Sequence, residues 1–233
     1  MILRSRYERA GLHLAVIALL ALFVGGCTSA RIGRETQEAE GSEEQAATIE
    51  EEPTGPWKMF AFEPGQDLMY TVKVEEARRA HTWSFRLFVG KTDDGRLWFR
   101  FIGHLERQFS DTIFASPDDV ARGLRTGLLA NWACWPLFPL FTAPWAEWFA
   151  DRELAVGAKW SVETGGQTIS FSVTGTETYA GITGYVCEWT IPGPEGEESF
   201  KACIHPGFPL VLYARIPKAG RYYEYTLVDH GGF

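Results

Sequence analysis

Apolar side chains recur at every second position along most of the chain beyond Trp57. This period of two is typical of β-strands with one buried face, because successive side chains of a strand point to opposite sides of the sheet. The first such run contains Leu68, Tyr70, Val72 and Val74. Similar runs occupy residues 83–89, 97–101 and 169–173, and further strands are expected near 184–191, 199–205, 209–216 and 221–228.

Short polar connections separate several of these runs. Asp93-Asp94-Gly95, Gly165-Gly166 and Lys218-Ala219-Gly220 are of hairpin length, and hairpins join antiparallel strands. The sequence therefore predicts a mainly β fold of the β-rich α+β class. We expect a curved antiparallel sheet or half-barrel of about eight to ten strands, with a helical, Trp-rich insertion between two sets of strands.

The insertion is expected at about residues 116–150. Ser116 suits the N-cap of a helix, and Pro117 suits its first position. Apolar residues then recur at spacings of four and three, in a stripe formed by Val120, Leu124, Leu128, Trp132 and Trp135. Gly123 and Gly127 have the G-x-x-x-G spacing of membrane dimers, but two arginines in the same stretch argue against a membrane helix.

The stretch from Leu128 to Phe149 contains seven large aromatic rings and three prolines. Each proline removes a backbone donor that a lipid environment cannot replace, which argues against a transmembrane helix. Two interpretations remain open: the rings form the domain core, or they form a movable cover or surface patch that meets a lipid, a membrane or a partner protein. The candidate contact residues are Trp132, Trp135, Phe138, Phe141, Trp145 and Trp148.

The first 26 residues have the pattern of a secretory signal peptide, with a basic start and the apolar run 10–23. The following Val24-Gly25-Gly26-Cys27 resembles the lipobox of bacterial lipoproteins. This resemblance implies that Cys27 is diacylated on sulfur, becomes the N-terminus after cleavage and is then acylated there. It also implies a lipid-anchored protein on the periplasmic face of the outer membrane, because Thr28 stands where aspartate would favour the inner membrane.

Residues 28–55 contain eight glutamates and two arginines, and few large apolar side chains. Such a segment cannot repay the entropy of folding, and we expect it to be a disordered tether. The predicted organisation is a signal peptide at 1–26, a lipidated cysteine and acidic tether at 27–55, and one β-rich domain at 56–233. That domain carries 17 basic and 21 acidic residues without a basic cluster, which argues against a nucleic-acid partner.

The predicted protein is exported and lipid-anchored, and its elements are a set of strands, a helical segment and a second set of strands. In this it resembles the half-barrel carriers and receptors of the lipoprotein-localisation pathway. It is similar also to related exported domains of unknown function. The resemblance rests on element order and on Phe, Trp and Leu content across residues 57–233. It implies a strongly curved sheet closed by helices over an apolar cavity that takes acyl chains, and it assigns no individual binding residue.

Three cysteines remain besides Cys27, in an oxidising compartment. Cys187 and Cys203 lie symmetrically about a turn, as directly facing residues of a hairpin would, and we predict a disulfide between them while Cys134 stays reduced. That register sets Trp189 opposite Lys201 and mixes polar with apolar side chains on both faces of the hairpin, so a bulge is expected.

Motifs for catalysis or metal binding do not occur in the sequence. It has no G-x-S-x-G elbow, no Gly-rich phosphate loop and no closely spaced histidine or cysteine ligands. We therefore expect a non-enzymatic lipoprotein without metal or cofactor that binds an apolar ligand, such as a lipid or acyl chain, in the half-barrel. The alternative is a scaffold or interaction protein of envelope assembly that docks a partner protein through the Trp-rich segment. A lipoprotein hydrolase is a third hypothesis.

Overall fold

A computed structural model describes residues 55–232 except 77–78, 105–107, 131, 150, 194–195 and 219. The signal peptide of residues 1–26, the lipidation residue Cys27 and the acidic tether fall outside the described residues, so these assignments stay predictions. Within the described ranges, no helix is both long and apolar enough to span a bilayer.

The described residues form ten strands. They are β1 (Asp67–Glu76), β2 (Arg79–Lys91), β3 (Leu97–His104), β4 (Gln108–Ala115), β5 (Lys159–Thr164), β6 (Gln167–Tyr179), β7 (Ile182–Gly193), β8 (Gly196–Ile204), β9 (Tyr213–Lys218) and β10 (Arg221–Gly231). In β1, buried and partly exposed positions alternate along nearly the whole strand, as the apolar period of two predicts. The predicted mainly β fold is confirmed.

All ten strands belong to one sheet, in the order β4-β3-β2-β1-β10-β9-β8-β7-β6-β5. Every neighbouring pair is antiparallel, and all pairs except one join strands that follow each other in sequence. The exception is β1 with β10, in the middle of the sheet. β4 and β5 are consequently the two edge strands.

The helical insertion connects β4 to β5, and it therefore links opposite edges of the sheet. Its elements are a 3₁₀ helix (Pro117–Asp119), α1 (Val120–Ala130), a second 3₁₀ helix (Trp132–Leu137), α2 (Phe138–Thr142) and α3 (Trp145–Phe149). Ser116 is the N-cap, as predicted, and its hydroxyl accepts a hydrogen bond from the backbone N–H of Asp118 at 3.4 Å. Prolines stand inside the second 3₁₀ helix and at the starts of α2 and α3, which keeps these helices short.

The predicted apolar stripe is correct only within α1. Val120, Leu124 and Leu128 are buried, whereas Trp135 is exposed. The stripe does not continue because α1 ends at Ala130 and the chain changes to 3₁₀ geometry, which rotates later side chains away from the helical period.

Two glycines allow α1 to approach the edge strand β4. A Cβ atom added at Gly123 would collide with the Cβ of Ala115 and lie 3.0 Å from the Cα of that residue. A Cβ added at Gly127 would lie 2.5 Å from Cγ2 of Ile113. The G-x-x-x-G spacing in this chain therefore serves a contact between a helix and a strand.

The inner face of the sheet, defined here as the face that packs against the insertion, carries the hydrophobic core. Phe101 of β3 contacts Phe141 of α2 with ring centroids 5.7 Å apart. Two buried tyrosine hydroxyls of this face donate hydrogen bonds to backbone carbonyls. The Tyr225 hydroxyl donates to the Pro136 carbonyl at 2.6 Å, and the Tyr70 hydroxyl donates to the Val211 carbonyl at 2.8 Å. These bonds fix the insertion and the loop before β9 over the sheet.

The predicted disulfide between Cys187 and Cys203 is wrong. In the β7–β8 hairpin, Cys187 is paired with Ala202 and Cys203 with Val186, which is one residue away from the predicted register. Because side chains alternate between faces, this shift places the two thiols on opposite sides of the sheet. The shift also pairs Trp189 with Phe200 and Glu188 with Lys201, which replaces the polar–apolar pair of Trp189 with Lys201 in the predicted register. Cys134, Cys187 and Cys203 are all buried free thiols.

We expect the three thiols to be unreactive in the folded protein. Burial raises the pKa of Cys134 and of Cys203 to about 12, and it raises the pKa of Cys187 as well. Since the thiolate is the reactive form, native Cys27→Ser protein should not be modified by a thiol reagent at pH 8, whereas all three thiols should react after unfolding in urea. Fewer than three reactive thiols in the unfolded protein, because two of them form a native disulfide, would contradict this expectation.

Candidate functional site

The six aromatic residues predicted to contact a ligand or partner occupy different environments. Phe141, Trp145 and Trp148 are buried, with at most 4% of their surface exposed. Phe138 is half-buried, and Trp135 is 60% exposed. Trp132 lies in the second 3₁₀ helix, but its side chain falls outside what the structure describes. The Trp-rich segment is thus partly core and partly surface.

Trp148 of α3 packs on three aromatic side chains of the sheet. We call these four residues the Trp148 cluster. Its ring centroid lies 5.3 Å from that of Trp189, 5.8 Å from that of Phe171 and 6.2 Å from that of Phe200. Phe171, Trp189 and Phe200 are directly opposite one another on β6, β7 and β8. The register of the sheet therefore builds the floor on which α3 rests.

Indole hydrogen bonds hold α3 in this position. The Trp145 indole N–H donates to the Leu140 carbonyl at 2.7 Å, and the Trp160 indole N–H donates to the Trp148 carbonyl at 3.0 Å. Trp57, which precedes β1, also meets Trp145 edge to face at 6.3 Å. The helix is consequently tied to α2, to the edge strand β5 and to the segment before the sheet.

Two indole N–H groups in the Trp148 cluster have no acceptor among the residues that the structure describes. They are Nε1 of Trp148 and Nε1 of Trp189, and both atoms are buried. A buried donor without a partner costs about 1 to 3 kcal/mol, so native proteins keep few of them.

Beside the cluster, part of the inner face is incompletely covered by the insertion. Four apolar side chains here are half-buried and packed against the core, and we call them the apolar shelf: Trp160 and Val162 of β5, Ile191 of β7 and Phe200 of β8. Register places them on one face, because Trp160 and Phe200 lie in line with Phe171 and Trp189 across the strands, and Val162 and Ile191 stand two residues along from that line. Phe200 thus belongs to both the shelf and the Trp148 cluster. In β1, by contrast, the inner-facing side chains Leu68, Tyr70 and Val72 are completely buried.

The outer face of the same strands carries a polar groove of about 490 Å³. Its polar lining consists of Ser170, Ser172, Glu188, Thr190, Ser199, Lys201 and Arg215. Lys201 is engaged in an ion pair with Glu177 at 2.6 Å. This groove was not predicted, because it assembles alternate residues of four strands and only their register brings those residues together.

Trp135 and Phe138 form a second feature, on the surface of the insertion. Their rings stack with centroids 6.2 Å apart, and the Lys218 ammonium lies 4.8 Å from the centre of the Phe138 ring. Burial lowers the pKa of Lys218. We call these three residues the Trp135 patch. It combines an exposed ring with a cation, which suits recognition of a partner surface.

Titratable side chains meet at Glu177 of β6, which pairs with Lys201 at 2.6 Å and accepts a hydrogen bond from the Tyr179 hydroxyl at 2.5 Å. In the part of the chain that the structure describes, no three His, Cys, Asp or Glu side chains are grouped so that they could hold a metal ion. The raised pKa values of the thiols leave them protonated at neutral pH.

Comparison with known proteins gives distant structural matches. No family model matches the chain, and no curated protein does. A MucA/MucB complex from Pseudomonas aeruginosa contains a chain that is 12% identical over 71% of this chain and 51% of its own, with a TM-score of 0.38. This chain thus spans about half the length of that protein.

Two smaller proteins match over more of their own length. The lipoprotein YmcC from Escherichia coli is 13% identical over 70% of this chain and 85% of its own, with a TM-score of 0.28. An exported protein with a YmcC-like fold from Bacteroides fragilis is 12% identical over 76% of this chain and 100% of its own, with a TM-score of 0.32. Because all three TM-scores are below 0.5, no residue role is transferred from these proteins.

Proposed function

We propose that this protein is a non-enzymatic lipoprotein of the outer membrane whose half-barrel binds an apolar ligand, such as a lipid or an acyl chain, on the apolar shelf. The observation that supports this proposal is the incomplete cover of the inner face at Trp160, Val162, Ile191 and Phe200. An acyl chain lying on these side chains would bury apolar surface on both partners, which contributes about 25 cal/mol per Å² removed from water.

The position of the shelf in the sheet favours access for such a ligand. Trp160 and Val162 belong to β5, which is an edge strand. A chain can therefore reach the shelf from the side of the sheet without separating hydrogen-bonded strands. The helix α3 borders the shelf, since the Trp160 indole donates to the Trp148 carbonyl at 3.0 Å and the Phe200 ring lies 6.2 Å from that of Trp148.

The test is the thermal unfolding of full-length Cys27→Ser protein with a palmitoyl lysophospholipid below its micelle-forming concentration. At about 100 times Kd the ligand should stabilise the fold by about 2.7 kcal/mol. For a domain of this size, that is a rise of about 5 to 10 °C in the melting temperature. We expect Val162→Gln, which puts an amide on the shelf, to lose most of this rise.

Ser161→Gln is the matched control, because Ser161 is the neighbouring residue on the same strand and faces the outer side. It should keep the full ligand-induced rise. If neither the wild type nor the control responds to any acyl ligand, the proposed function is wrong.

The Trp135 patch supports a second candidate function, in which the protein is a scaffold of the envelope that docks a partner protein. The observation that favours it is the 60% exposure of Trp135, a large ring stacked on Phe138. Exposed tryptophans are frequent energetic centres of protein interfaces. The two functions use different surfaces, the insertion for docking and the sheet for ligand binding, so Trp135→Ala would impair docking and leave ligand binding on the shelf intact.

A further inference from the structure

We infer that Trp148 and Trp189 form a subsite for the carbonyl oxygen of an esterified acyl chain, an inference that rests on the proposed function. The indole N–H groups of both residues are buried and have no acceptor among the described residues. The two rings are neighbours, with centroids 5.3 Å apart and planes inclined at 68°. A carbonyl oxygen has two lone pairs and can accept a hydrogen bond from each of two donors.

The subsite adjoins the apolar shelf directly. Trp189 is paired with the shelf residue Phe200 across the β7–β8 hairpin, and their rings stack at 5.4 Å. Trp148 is reached from the shelf through Trp160, whose indole donates to the Trp148 carbonyl. An acyl chain that lies on the shelf with its polar end toward α3 therefore brings its first carbonyl to these two donors.

The charge of the inner face selects an ester over a free carboxylate. On the inner face of β5 to β8, within the described residues, the charged side chain is Glu198, which is paired with the shelf residue Ile191. The cations Lys159 and Lys201 of these strands face the outer side. A carboxylate placed beside the indoles would be buried without a cation from these strands, which is costly. A neutral ester carries the same acceptor without this cost.

The two buried donors should make the site discriminate between ligands with and without a hydrogen-bond acceptor. A site that must hydrogen-bond its ligand binds analogues without the acceptor poorly, because the donors then stay unsatisfied in the complex. Methyl palmitate should therefore bind about tenfold more tightly than hexadecane of similar length, since one hydrogen bond of ordinary net strength corresponds to about this factor. Palmitate at pH 8 should bind at least tenfold more weakly than its methyl ester.

The experiment measures the affinity of full-length Cys27→Ser protein and of its Trp148→Phe and Trp189→Phe variants for methyl palmitate, hexadecane and palmitate. Each variant should lose about tenfold in affinity for the ester and little for hexadecane, because phenylalanine keeps the aromatic surface and lacks the donor. Trp135→Phe, on the exposed patch, is the control and should bind all three ligands as the wild type does. Ester affinities that are unchanged in both donor variants, or palmitate bound as tightly as its ester, would overturn the inference.

A measurement on the wild type avoids any dependence on how the variants fold. The infrared stretch of the ester carbonyl should move to lower wavenumber on binding, relative to the ester in hexadecane, because the oxygen accepts hydrogen bonds. An unshifted band in the bound ester contradicts the subsite. If hexadecane and the esters all fail to bind, the proposed function fails with it, and this result differs from binding without discrimination, in which only the subsite is wrong.

Phospholipids and acylated lipoproteins share this ester chemistry. Two further ligands, a lysophospholipid and a synthetic diacylglyceryl-cysteine peptide, distinguish these sources. The affinity for at least one of these ligands should fall in the Trp148→Phe and Trp189→Phe variants, as it does for methyl palmitate. If neither affinity changes in the two variants, the result counts against the subsite.

Discussion

Phe141→Ala is expected to lower the free energy of unfolding by about 3 to 5 kcal/mol. Phe141 is completely buried at the centre of the insertion, where its ring stacks on Phe60 at 6.3 Å and meets Phe101 edge to face at 5.7 Å. Truncation removes apolar contacts with both the sheet and the segment before β1, and it leaves a cavity that the surrounding strands cannot close. Urea unfolding of full-length Cys27→Ser protein, followed by circular dichroism, measures this loss.

Phe138→Ala is the matched control for this prediction, because Phe138 lies three residues earlier in the same segment. Its ring is half-buried and stacks on the exposed Trp135, so fewer packed neighbours are lost. We expect a cost of about 1 kcal/mol, which is typical of a point substitution outside the core. Equal losses for the two variants would show that α2 is not packed on the sheet as described.

Gly123→Ala is expected to destabilise the protein by about 1 to 3 kcal/mol, although alanine is the better helix former. On an exposed helix this substitution would stabilise by about 1 kcal/mol. In α1 the added methyl group would meet the Cβ and Cα of Ala115, which are short, rigid parts of β4 that cannot rotate away. The helix must then move off the edge strand, and part of its contact with Ile113 is lost.

The control for this second prediction is Thr126→Ala, an exposed position of the same helix. It should leave stability unchanged or raise it by a few tenths of a kcal/mol, according to intrinsic helix propensity. Thermal unfolding of both variants separates the two effects. A Gly123→Ala protein that is more stable than the wild type would mean that α1 does not lie as close to β4 as the structure shows.

The sequence predicted strands well where one face is fully buried. β1 and β6 were recognised because Leu68, Tyr70, Ile169 and Phe171 alternate with polar residues. β4 was missed, since it is an edge strand in which only Ile113 and Ala115 are buried. The strand predicted at 209–216 begins instead at Tyr213, because the preceding apolar residues are buried in a loop and do not pair as a strand.

The register of the β7–β8 hairpin could not be derived from the symmetric spacing of its two cysteines. A shift of one residue exchanges the faces of all side chains, and the spacing of two thiols does not distinguish the two registers. The information was present in another pair: the predicted register set Trp189 opposite Lys201, and the observed one pairs Trp189 with Phe200. Polarity matching across strands was the better guide.

The candidate site was only partly accessible to sequence reasoning. Aromatic density identified the segment from Leu128 to Phe149, but it could not separate the buried Phe141 from the exposed Trp135, because both occur in one proline-interrupted stretch. The meeting of Trp148 with Trp189 depends on where α3 rests on the sheet. No spacing in the chain encodes that contact, which joins a short helix to a strand about 40 residues later.

The central position of the β1–β10 pair has a consequence for how the chain folds. The other strand pairs close hairpins or, between β8 and β9, a short loop, whereas β1 and β10 join residues at least 145 positions apart, as the Arg221–Glu76 contact shows. Loop-closure entropy rises with the logarithm of loop length, so this pairing costs about 2 kcal/mol more than a loop of about ten residues. The two halves of the sheet can each assemble from local contacts, and their union carries the largest share of the contact order that slows folding.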